Sequence, residues 1–62
     1  MTKYTHAVVH RILFEKNGVQ KQTDELTYAQ DVNHAMGIAH QLMAAGMVGV
    51  AIIELKEPTV IE

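Results

Sequence analysis

The Asn17-Gly18 pair constrains this chain more than any other feature of it. A type I′ turn needs positive φ at both central positions, and Asn followed by Gly tolerates that best between two extended runs. Both flanks read as extended. Tyr4 to Glu15 (YTHAVVHRILFE) is rich in β-branched and aromatic residues, and Val19 to Leu26 (VQKQTDEL) continues as a more polar strand. A two-residue loop sets Lys16 opposite Val19, and the rest of the register follows. Phe14 faces Lys21, Ile12 faces Thr23, Arg11 faces Asp24, His10 faces Glu25 and Val9 faces Leu26. The pairs Arg11–Asp24 and His10–Glu25 are charge-complementary, a contribution of about 0.2–1 kcal/mol each.

After the hairpin the period changes. Thr27-Tyr28-Ala29-Gln30 fits a capping box, with Thr27 accepting from the amide three residues on and Gln30 reaching back. The predicted helix runs to about Ala45 and ends at Gly46, a natural left-handed terminator. Val32, Ala35, Met36, Ala39, Leu42 and Met43 form its apolar stripe. Val48 to Lys56 (VGVAIIELK) reads as a third strand, Pro58 as the end of regular pairing, and residues 57–62 as a loose tail. A helix following the second strand crosses back over the sheet with right-handed connectivity. That places the third strand beside the first. The fold class is therefore α+β, a single β-β-α-β domain over residues 1–62. Its three-stranded antiparallel sheet has the order 2-1-3, with one helix packed on one face. This arrangement resembles half of a ferredoxin-like fold, a likeness of architecture that carries no function.

A chain of 62 residues buries only about 60% of the surface its unfolded form exposes. Chains of this size usually depend on disulfides, a structural metal or a partner subunit. With no cysteine, disulfides and thiolate metal sites are excluded, and a partner is the first support to look for. The N-terminal residues lack the apolar run of a signal peptide. The longest apolar stretch, Gly46 to Ile53, is far short of the ~20 residues that cross a bilayer. The expected location is cytoplasmic, without a membrane partner. Five Lys and Arg against seven Asp and Glu give a formal charge of −2, which disfavours a phosphate-tracking surface. The aromatics Tyr4, Phe14 and Tyr28 are not interleaved with the scattered basic residues, so no nucleic-acid partner is expected.

A three-stranded sheet with one helix should have one apolar and one polar face. Here both parities are apolar. The first strand offers Val8, Ile12 and Phe14 on one side and Ala7, Val9 and Leu13 on the other. The third offers Val48, Val50 and Ile52 against Ala51, Ile53 and Leu55. One helix covers one set, and the other is left as the kind of patch that marks an interaction site. The third strand is also an edge with no charge before Glu54, whereas the second carries Lys21, Asp24 and Glu25 as edge protection. Gly37, in mid-helix and off the stripe, costs ~1 kcal/mol relative to Ala, so it either leaves the helix under-optimised or admits another surface closely. The candidate interaction surface is Val48, Val50, Ile52, Ile53 and Leu55, with Gly37 on the helix.

No catalytic constellation is legible. There is no nucleophile elbow, no phosphate-binding glycine loop and no HExxH. His6 and His10 stand ~13 Å apart along a strand, too far to share an ion. His34 and His40 point to different sides of the helix, and only Asp31 and His34 have chelating spacing. No metal or other cofactor is expected. Met36, Met43 and Met47 suit an adaptable recognition surface, but also the simpler role of filling gaps in a small core. These features read as a non-enzymatic protein-interaction module that self-associates, with a dimer favoured. In length and element order the chain resembles the small proteins with which phages and mobile elements inhibit a larger host protein. The alternative is a small-ligand binder with a pocket at the subunit seam, lined by Met and His.

Overall fold

The turn adopts the conformation its dipeptide requires: φ is 54° at Asn17 and 78° at Gly18 in the computed structural model, which describes residues 2–61. The elements are β1 (Thr2–Lys16), β2 (Val19–Ala29), α1 (Val32–Ala44) and β3 (Val48–Ile61). The antiparallel sheet has the order β2-β1-β3 and the expected hairpin register, from Lys16↔Val19 through Arg11↔Asp24 to Val9↔Leu26. The cross-strand pairs Arg11–Asp24 and His10–Glu25 bring their polar groups together. Arg11 Nε lies 3.6 Å from Asp24 Oδ1, and His10 Nε2 lies 3.5 Å from Glu25 Oε2.

The helix begins later than Thr27. β2 continues through Thr27↔Val8, Tyr28↔Ala7 and Ala29↔His6, and Asp31 is the N-cap. Ladder bonds to β1 satisfy the backbone of Thr27 to Ala29, which a local capping box would have done less completely. At the other end the expectation about Gly46 holds. With φ of 83° it closes a Schellman motif, its N–H bonding to Met43 O and the Met47 N–H to Leu42 O, both at 3.0 Å.

Residues 57–61 are not a loose tail. β3 resumes pairing past a register shift, with Tyr4↔Thr59, Lys3↔Val60 and Thr2↔Ile61; Glu62 lies outside the described residues. Pro58 falls within the irregular stretch between Glu54 and Thr59, where its missing N–H breaks no ladder bond. A second shift lies between Val9 and Arg11, where Gly49, with φ of 66°, forms a bulge.

Ala35 and Ala39 seat the helix against Val8 and Ala29, with Ile38, Leu42 and Val50 partly buried around them. The expected stripe is thus split. Ala35, Ala39 and Leu42 face the sheet, while Val32, Met36 and Met43 are about half exposed. Two alanines at the contact let the backbones approach closely. The same rotation draws in Ile38 and turns the longer side chains outward. The fully buried core is small: among the described residues its largest side chain is Val8. A 13-residue helix is ~20 Å long, against ~50 Å for a 15-residue strand, so much of the sheet has nothing over it.

Candidate interaction surface

Strand alternation assigns every side chain of the sheet to one of two faces. Val8 lies under the helix, so His10, Ile52 opposite Val8, and Val50 lie on that side. Ala7, Val9, Arg11 and Leu13 of β1 lie on the open side, joined by Leu26 opposite Val9 and by Ala51 and Ile53 opposite Val9 and Ala7. Leu26 is 52% exposed and Ile53 40%. Val48 pairs with Arg11 past the bulge and is also on this side, about half exposed. Tyr28, opposite Ala7, has its ring 5.7 Å from that of Tyr4.

The six residues singled out from the sequence therefore separate. Val48 and Ile53 belong to the open face, and Val50 packs against the core. Ile52 is on the helix side yet 39% exposed. Leu55 is partly buried within the irregular stretch. A Cβ added to Gly37 would meet nothing within 4 Å, so no neighbour in this chain requires a glycine there. Leu26 was absent from the sequence-based set although its pairing with Val9, which the turn dictates, places it on the open face.

Two of the histidines, His34 and His6, serve local structure. Asp31 Oδ1 accepts the His34 N–H at 2.8 Å, and His34 Nδ1 accepts the Gln30 N–H at 3.1 Å. The one pair with chelating spacing thus forms a reciprocal cap, which requires Nδ1 of His34 to be unprotonated. Thr5 Oγ1 donates to Gln30 O at 2.9 Å, so the His6 Nδ1–H donates to Thr5 Oγ1 at 2.8 Å. His10 is buried, and its Nδ1 has no hydrogen-bond partner among the described residues. Among the described residues no three His, Asp or Glu gather closely enough to hold a metal ion, and no helix is long and apolar enough to cross a membrane. Asp31→Ala is expected to lower stability by about 1 kcal/mol, with Asp31→Asn nearly neutral, measured by urea unfolding at fixed protein concentration.

Where the helix ends against the hairpin, Arg11, Ile12, Leu13, Gly46, Met47 and Val48 line an open, mainly apolar cleft of about 320 Å³. Its one charged group, Arg11, is already beside Asp24. The chain matches no family model, no curated protein and no solved structure.

Proposed function

We propose that this chain is a non-enzymatic protein-interaction module that self-associates as a dimer. The observation that carries the reading is surface. The chain exposes 4684 Å², whereas a monomer of 6.9 kDa is expected to expose about 4,000 Å². The excess of roughly 700 Å² is close to the ~800 Å² that each partner contributes to a standard interface. Exposed apolar side chains, Ile52 and Ile53 of β3 among them, are the part of this surface that a second copy would cover. A core whose largest fully buried side chain is a valine gives a second copy a stabilising role, because association couples to folding by mass action.

Sedimentation velocity on the wild type in the tens of micromolar tests this. The expected result is a species of about twice 6.9 kDa and a melting temperature that rises with protein concentration. A monomer whose melting temperature does not depend on concentration rejects the reading. The cleft beside Arg11 favours a second reading, a small-ligand binder, although it is lined by Met47 and by no histidine. That reading requires a small apolar ligand to raise the melting temperature of wild type but not of Leu13→Glu.

A further inference from the structure

We infer that the second copy docks edge to edge. β3 pairs antiparallel with β3 of its mate across a two-fold axis, joining two three-stranded sheets into one of six strands. The inference rests on the self-association proposed above and specifies its geometry.

The sheet has two free edges, and they differ in chemistry. Along β2 lie Gln20, Lys21, Gln22, Asp24 and Glu25, the charged and polar residues that discourage pairing. Along β3, Val48 to Ile53 carry no charge at all. An edge of unpaired N–H and C=O groups with such side chains is a template for another strand.

Apolar exposure along β3 occurs on both faces. Ile53 is exposed on the open side and Ile52, to nearly the same extent, on the helix side. Stacking two sheets by their open faces covers Ile53 and leaves Ile52 in water. Pairing along the edge sets a neighbouring strand beside both.

The irregularities of β3 define the register. The Gly49 bulge disturbs one end, and the shift between Glu54 and Thr59 disturbs the other. Between them Ala51 to Glu54 pairs regularly with β1, and with Val50, which leads out of the bulge, the extended run Val50 to Glu54 has a length usual for a strand in a sheet. Its midpoint is Ile52. A two-fold there sets Ile52 against its own mate, Ala51 against Ile53 and Val50 against Glu54, so no like charges oppose one another. An isologous contact needs a self-complementary patch of this kind. The pairing also closes the assembly, because the edges left to the dimer are the two charged β2 strands.

Three proteins decide the matter by sedimentation velocity, each first checked for fold by circular dichroism. Ile52→Lys brings two ammonium groups together at the axis and is expected to weaken dimerisation by about a hundredfold. Leu26→Lys charges the open face on the far strand and is expected to stay within about threefold of wild type. The reverse pattern, with Leu26→Lys monomeric and Ile52→Lys unaffected, overturns edge pairing in favour of stacked sheets and leaves self-association standing. A monomeric wild type removes both. Amide exchange on wild type covers the case in which Ile52→Lys fails to fold. The outward amides within Val50 to Glu54 should be protected at high concentration and exchange on dilution. Outward amides that exchange freely in the dimer overturn the inference.

Discussion

Val8→Ala is expected to cost about 2–3 kcal/mol, a large share of the stability available to a domain this small. Val8 is the largest fully buried side chain, and it lies where Ala35 and Ala39 of the helix meet the sheet. Removing two carbons forfeits about 0.8 kcal/mol of transfer free energy for each. The void left behind adds to this, because the alanines around it carry only a methyl group and no rotatable side chain that could move into it. Urea unfolding of wild type and variant at one protein concentration gives the difference, with the slope as a check that the unfolded states are alike. A loss below about 0.5 kcal/mol would mean that the helix is not seated on Val8.

Gly49→Val is expected to cost at least 2 kcal/mol, for two reasons that a second substitution separates. The backbone at Gly49 has φ of 66°, a region a β-branched residue almost never occupies. An added Cβ would also stand 3.2 Å from the Arg11 Cβ, a distance at which the neighbouring strand must yield. Gly49→Asn keeps the crowding but tolerates the left-handed conformation, and should lose only about 1 kcal/mol. Unfolding curves for the two variants check the order. Equal losses would place the whole effect in the contact with Arg11 and none in the backbone. Because the bulge ends the regular run of β3, the valine variant should also alter the pairing of Val48 with Arg11, visible as changed amide exchange there.

The face that carries the helix illustrates where reasoning from sequence stops. Val9 and Ile53 on one side are as apolar as Val8 and Ile52 on the other, so alternation alone leaves the choice open. The helix settled it through Ala35 and Ala39, whose small size permits a close approach over Val8. The same docking turned Met36 and Met43 outward, against the periodicity of their segment. That Leu26 shares the face of Val9 was legible once the turn had set the two opposite each other, but that this face is the open one was not.

The hairpin and its register were determined by sequence alone, because the positive φ angles at Asn17 and Gly18 are a local requirement that few residue types meet. The strand order followed from the chirality of the crossover and from composition, which sets the apolar first strand in the centre and the polar second strand at an edge. Tertiary structure alone decided the rest. Thr27 to Ala29 became strand because a non-local partner, Val8 to His6, satisfied their backbone groups. Thr59 to Ile61 became strand because Thr2 to Tyr4 offered ladder bonds on the far side of Pro58, and the register shift absorbed the missing donor. In each case a hydrogen-bond partner distant in the sequence outweighed the local signal, and only the folded arrangement brings that partner within reach.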